Sequence, residues 1–495
     1  MANLKSNRPL KLAGAFVVLF PMSVQADLNT LTAGNPAFDD LERAAAAANQ
    51  SAYNALLPLC AAGPGPTCSG AQFGVFESTQ ELVQTANDLE GAGPTAFSLR
   101  LDQEGLGDAL RWTAAEEVTA QGTIATEFTN GQLANVNNRM TALRFGARGF
   151  SITGLGGIPA SNIAGVSNGD KLGSASSGET LSKWGGFGNG TFGFGDRDPT
   201  TFEDAFDFDN TEATLGFDYR FNDRWVAGFV AGYTENEVDF NAAQSIVDGG
   251  IVSDGYSLGV FGLYSRDALY ISGAFTYQNL DFEIDRFIKY PSFNPDVPST
   301  DTRTLGKTDS DSYTASLNAG YMFRFGPGAS KRYVLEPYFR AEYVDVSISA
   351  FNEIETDGDG IQEYFNLAVQ KQSIKSFELS FGARASAAIS TSWGVLFPYA
   401  RGEWHVELED DDSNTSSTYD IGISGLTPFL LADDDIDTGY GTAVIGVQTI
   451  LKGGRQRELG GAIGDRLSLF IEYRTIFSLA KISNDLISGG LRYTF

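Results

Sequence analysis

The segment 393-WGVLFPYARGEWHVEL-408 alternates almost without a break. Leu396, Pro398, Ala400, Gly402, Trp404, Val406 and Leu408 share one parity; Phe397, Tyr399, Arg401, Glu403, His405 and Glu407 share the other. A period of two sends successive side chains to opposite faces of a strand, so one face is apolar and the other polar and charged. The same alternation runs through 214-TLGFDYRFN-222 and 313-YTASLNAGYMFRF-325. A soluble sandwich also alternates, but its strands are usually about 5–6 residues long. Several runs here continue for 11 or more residues, which matches the roughly 9–11 needed to cross a bilayer at a tilt.

Working outward, twelve such runs lie near 183–194, 205–221, 224–238, 253–265, 268–282, 310–325, 332–347, 374–389, 394–408, 438–451, 465–477 and 486–495. Only Asn222-Asp223 and Arg266-Asp267 follow the second and fourth runs, and "GPGASK" and "STSW" follow the sixth and eighth. Between these lie long polar gaps: 285-DRFIKYPSFNPDVPSTDTRTLGKTDS-310, 349-SAFNEIETDGDGIQEYFN-366 and 409-EDDDSNTSSTYDIGISGLTPFLLADDDID-437. Only "KGGRQRELGGAIG", after the tenth run, is longer than strict alternation predicts. Short turns alternating with long loops, and an even strand number, describe an outer-membrane barrel. The last run ends on Leu491, Tyr493 and Phe495, all of one parity. Chain ends usually fray. This one is expected to be held, because closing a barrel pairs the last strand with the first, and its aromatic rings belong in the periplasmic girdle.

The N-terminus sets the compartment. Residues 1–26 carry Lys5, Arg8 and Lys11, an apolar run from Leu12 to Phe20 and Val24-Gln25-Ala26. They read as a secretory signal peptide. The formal charge of the whole chain is −28; removing those three cations leaves −28 − 3 = −31. So acidic a chain argues against nucleic acid as a partner. Cys60 and Cys68 are the two cysteines of the chain and flank a Pro/Gly turn. In an exported protein they are expected to form a disulfide.

The region 27–128 reads as helical. The stretch 37-AFDDLERAAAAANQSAYNALLPLC-60 opens with acids. Ser78 and Glu81 have capping-box spacing before a segment that ends at Gly91. A third helix is expected within 106–122 and a fourth from about Thr123 to Arg148. Residues 150–182, rich in Gly, Ser, Ala and Asn, read as a flexible linker to the barrel at 183–495.

The region from Trp184 to Phe495 resembles the autotransporter β-domain, the translocator of type V secretion. The resemblance rests on "GFDYRF", "LEPYFRAEYVDVSISAFNE", "SFELSFGARASAAISTSWGVLFPYARGEWHVELEDD" and the terminal "GGLRYTF", which occur in order. It implies a mostly β protein: a twelve-stranded antiparallel transmembrane barrel, a pore helix and an N-terminal passenger sent to the surface of a Gram-negative cell. It also implies outer-membrane lipid, the barrel assembly machinery and periplasmic chaperones as partners, with the terminal strand recognised during assembly. A monomer is expected. The candidate pore helix spans 129–149 and carries Arg139, Arg144 and Arg148, with no acid between Glu127 and Asp170. The lumen face carries Asp218, Glu336, Glu342, Glu403, Glu407 and Glu472. A basic helix in an acidic pore offsets the cost of confining either charge alone. "NNRMTALR" is similar to the pore-helix motif of autotransporters that cut at an Asn pair, but Ala134-Asn135 stands where that pair belongs. That departure argues against self-cleavage.

The sequence does not support an enzyme, a cofactor or a metal site. G-x-S-x-G occurs around Ser167 and Ser257, neither in the strand–turn–helix setting of a nucleophile elbow. The one histidine, His405, falls on a barrel strand facing the lumen, so no Ser-His-Asp triad can form in the helical region. Acidic loops such as "ETDGDG" and "ADDDID" do not complete a calcium-binding loop. Two functions stay open at this point: a surface-displayed helical segment carried by the barrel, or a porin-like or structural barrel whose helical segment is periplasmic or plugs the pore.

Overall fold

Alternation across twelve strands builds one continuous wall, and a helical head sits on its long-loop end. The computed structural model describes residues 27–144, 150–154 and 183–494, apart from 198, 200–203, 241–244, 327–332, 357–363, 393, 411–413, 432–438, 452–465 and 478–484. The helices are α1 (Leu28–Thr32), α2 (Asp40–Cys60), α3 (Gly70–Leu89), α4 (Gln103–Ala114) and α5 (Ala120–Arg144), with a 3-10 turn at Glu116–Val118. The strands are β1 (Phe150–Gly154), β2 (Trp184–Arg197), β3 (Phe206–Arg220), β4 (Trp225–Phe240), β5 (Gly249–Arg266), β6 (Leu269–Tyr290), β7 (Thr300–Tyr321), β8 (Phe323–Phe325), β9 (Tyr333–Ile348), β10 (Phe351–Asn352) and β11 (Ile354–Glu355). They continue with β12 (Leu367–Val369), β13 (Gln372–Ala387), β14 (Ile389–Ser390), β15 (Gly394–Asp410), β16 (Thr415–Tyr419), β17 (Phe429–Leu431), β18 (Gly439–Leu451), β19 (Arg466–Phe477) and β20 (Asp485–Thr494).

The main sheet runs β1-β2-β3-β4-β5-β6-β7-β9-β13-β15-β18-β19-β20. From β2 onward these are twelve strands, each antiparallel to the next. They match the twelve expected runs, with two differences. β6 continues to Tyr290 and β7 begins at Thr300, so most of the expected loop 285–310 is strand. Its alternation persists: Ile284, Arg286, Ile288 and Tyr290 are all buried on the inward face. The second difference is at the seam. β1 pairs with β2 in parallel and lies within 8 Å of β20, so the last strand meets β1 rather than the first long strand. The expected linker therefore yields five residues to the sheet; residues 155–182, like the expected signal peptide 1–26, fall outside the described part.

Outward parity is apolar and exposed, as a lipid-facing wall requires: Leu215, Phe229 and Ile445 are 64%, 70% and 60% exposed. Rings gather at two levels. Near the short turns Trp184 packs on Tyr219 and Trp225 on Tyr264, each pair with ring centroids 4.8 Å apart. Tyr256, Tyr277 and Tyr313 form a second tier on the same wall. Trp225 to Tyr233, and Tyr264 back to Tyr256, are eight residues apart, about 26 Å of strand and on the order of 20 Å of height at a tilt of about 40°. No described helix is long and apolar enough to cross a membrane; the strands do so.

The head forms because α2 and α3 each begin with a full capping box, Asp39 with Glu42 and Ser69 with Gln72. The helix starts from Ser69, nine residues before the expected start at Ser78. Ser78 lies inside α3 and donates to the Gly74 carbonyl. The Cys60–Cys68 disulfide is present, with Cα atoms 5.2 Å apart, and ties the end of α2 to the start of α3. The loops that sequence alone reads as external and polar contain a second sheet, β10-β12-β16-β17. Its inward residues, including Leu367, Val369, Tyr419 and Phe429, share one apolar core with Leu41, Leu56, Leu82 and Leu110 of the head.

Candidate functional site

α5 lies in the lumen. Leu133, Val136, Met140 and Leu143 form its apolar seam, packed on Phe187, Val226, Val230, Phe261 and Tyr270 of the wall. Its polar side descends the wall in steps. Gln132 and Asn135 both donate to Thr214 Oγ1, at 3.1 and 3.0 Å. Four residues after Asn135, Arg139 donates through Nε and Nη2 to Asp218 Oδ2, at 2.8 and 2.6 Å. At the helix end Arg144 Nη2 lies 3.1 Å from Glu336 Oε1, its guanidinium 3.6 Å from the ring centroid of Tyr270. The direction is from the long-loop end towards the short turns.

Three glycines create the space. Asp218 stands between Gly185 on β2 and Gly228 on β4. A Cβ on Gly185 would lie 2.7 Å from Arg139 Nη2, and one on Gly232 would lie 2.3 Å from Gln132 Nε2. A larger residue at either position would push the Arg139–Asp218 pair or the Gln132 amide aside.

The other lumen acids behave differently. Glu342, Glu378 and Glu403 surround Arg340 at 3.6, 3.6 and 3.9 Å. His405 Nδ1 lies 2.8 Å from Glu378 Oε1, and Nε2 lies 3.0 Å from Thr442 Oγ1. Tyr440 stacks on the His405 ring and donates to Glu378 Oε2 at 2.6 Å. Glu407 accepts from Ser376 Oγ and the Phe377 amide, both at 2.7 Å. His405 is thus a lumen hydrogen-bonding residue. Ser257 is buried in β5. Of the six acids read from sequence, Asp218 and Glu336 meet α5 among the described residues. Glu472 sits in β19, and Leu491 and Tyr493 in β20 opposite Leu469 and Leu467; their side chains, with Arg148, Ser167 and Phe495, lie outside the described part.

At the barrel mouth a second set of charges, absent from the sequence reading, joins head to wall. Arg286 of β6 forks onto Glu353 at 3.0 and 2.7 Å and also donates to the Phe365 carbonyl. Arg111 of α4 holds Glu116 at 3.0 and 3.1 Å, and Asp39 and Asp204 at 2.8 Å each. Asp204 also accepts from Ser245 Oγ and the Ile246 and Val247 amides. Asn294 donates to the carbonyls of Ala96 and Ser98, and Tyr419 to Asn49. The signal for Arg286 was present: a cation set in an apolar alternation is buried only with a partner.

The model of the autotransporter β-domain matches residues 186–456, more than half of the chain. The chain belongs to the autotransporter β-domain family. Solved structures similar to it include three autotransporter domains. The translocator domain of NalP from Neisseria meningitidis is 13% identical over 61% of this chain and 85% of its own, with a TM-score of 0.40. The β-domain of Brka from Bordetella is 17% identical over 59% and 92%, with a TM-score of 0.33. The transport unit of AIDA-I from Escherichia coli is 15% identical over 65% and 92%, with a TM-score of 0.32. No curated protein matches the chain. The autotransporter barrel places the protein in the outer membrane of a Gram-negative bacterium.

Proposed function

We propose that this autotransporter uses its barrel to carry a short helical head to the cell surface and to keep it there, as a display or attachment module without enzymatic activity. The observation that carries this reading is the path of α5. It threads the lumen through the Arg139–Asp218 and Arg144–Glu336 pairs, with the head at the end where the long loops lie. In outer-membrane barrels the long loops face outward and the short turns face the periplasm. A porin-like role is the weaker reading, because α5 occupies the lumen. Assembly would follow the family route, with the barrel assembly machinery reading Leu491, Tyr493 and Phe495. The test is topology. An epitope inserted after Gly91, in the exposed link between α3 and α4, is expected to bind antibody on intact cells. Binding only after the outer membrane is opened would overturn display.

A further inference from the structure

The charges that join head and wall do not balance. Arg111 and Arg286 face Asp39, Glu116, Glu117, Asp204 and Glu353, so with every acid ionised the set carries 2 − 5 = −3. Four of the five carboxylates touch a guanidinium. Glu117 is fully buried, and neither of its oxygens finds a hydrogen-bond partner on another described residue. One turn further on, both side-chain amide atoms of Gln121 are likewise buried without a partner among the described residues. Among the described residues no cluster of ligands suits a metal ion. A buried carboxylate that only its own backbone amide reaches is strongly disfavoured as an anion, and neutralisation is its usual escape.

We propose that Glu117 is a proton-binding latch: it is neutral when the head sits on the barrel mouth, and its ionisation loosens the head. The proposal rests on the docking seen here and takes its biological setting from the displayed-head reading. The 3-10 turn that carries Glu117 packs against β5, β6 and α5. β6 presents Arg286, with Glu353 bound to it; Asp204 approaches from the chain before β3, and Glu116 lies in the same turn. The charged residues of β5, Asp254 and Arg266, are exposed, and the first turn of α5 holds no acid. Tyr419 adds a neutral hydroxyl beside Arg286. Burial pushes the Glu117 carboxyl up to about 8 from 4.5, against the pull of Arg286 and of its own backbone amide and with the push of Glu353 and Asp204.

The sign follows from proton linkage. Between pH 4.5 and about 8 the docked head holds a proton that the free head gives up. Docking is therefore strongest at acid pH, weakens through that window and levels off above it. The change in the docking equilibrium is on the order of a thousandfold.

The experiment uses the full chain in detergent micelles, with Cys60–Cys68 intact and nitroxides on Glu90→Cys and Asp301→Cys, both exposed positions. The spin–spin distance follows release of the head in urea at pH 6 and pH 9, and heat-dependent gel mobility confirms that the barrel stays folded. The urea midpoint is expected to fall at pH 9, and Glu117→Gln should shrink that difference, what remains coming from Glu116, whose carboxyl burial also raises. An unchanged midpoint in the parent protein, or the same pH difference in Glu117→Gln, overturns the latch. Glu117→Leu supplies a second uncharged variant, and the parent comparison decides even if neither variant folds. Because the distance is read on purified protein, its failure leaves surface display standing, and failure of the epitope test leaves the latch standing.

Discussion

Where the helical segment meets the barrel, arginines are buried in two places and managed in two ways. In the lumen, Arg139 and Arg144 of α5 each face one wall acid, Asp218 and Glu336. At the mouth, two arginines share five carboxylates, one of which has no donor from another described residue. One-to-one pairing holds a helix in a fixed register and needs nothing from solvent. An acid-rich set is stable only with protons in it, so its strength depends on conditions. The lumen contact is thus suited to staying closed, and the mouth contact to responding.

The largest effects should come from removing one arginine at a time. Arg286→Met leaves Glu353 buried without its partner and takes the nearest cation from Glu117. A loss of about 3–5 kcal/mol in head docking is expected, read as a lower urea midpoint for head release. Arg139→Met should cost the barrel a similar amount, read from its thermal transition. The paired variants sharpen the contrast. Arg139→Met with Asp218→Leu should recover most of the loss, since it leaves no charge behind. Arg286→Met with Glu353→Leu should recover less, because Glu117 keeps its deficit. Equal recovery at both sites would break the distinction.

How far this was readable from sequence differs between the same two places. Strict alternation and the rhythm of turns revealed the wall, because a strand exposed to lipid on one face and to the lumen on the other tolerates few departures. Arg139 and Arg144 stood out as cations in an acid-free stretch. Which acids they meet did not, since six candidates share the lumen parity and the choice depends on helix position. Gly185 and Gly228 flanking Asp218 became meaningful only once strand register was known. The mouth was hidden for a different reason. Its polar loops, rich in Asp and Pro, look solvated, yet alternate residues such as Thr415, Ser417 and Tyr419 are buried. Runs of five residues or fewer carry too little periodicity to separate a small sheet from a loop. Ser78 misled because the capping-box spacing recurs inside α3, while the working pair, Ser69 and Gln72, begins beside a cysteine.

Smaller effects separate the head's own stability from its docking. Replacing Cys60 and Cys68 together by Ser opens a link between residues eight apart, with an expected loss of about 2.5 kcal/mol in unfolding of the isolated transition of the head. Hydrogen exchange across α2 and α3 should report it while the lumen pairs stay protected. Ser69→Ala removes one capping oxygen from α3 and should cost about 1 kcal/mol, detected as faster exchange in the first turn of that helix alone. If exchange rises along α5 as well, head and lumen helix unfold as one unit and the two contacts are not independent.

Only Thr119 lies between the 3-10 turn that carries Glu117 and the start of α5. A head released from the mouth would therefore remain on a very short leash, at an effective local concentration on the order of millimolar or above relative to its own seat. Re-seating becomes a unimolecular event that dilution cannot slow. A surface ligand that competes for the freed face must outbid this tethered rival, so weak encounters would be rejected and only partners with many contacts, or a shift in ambient pH, would keep the head open.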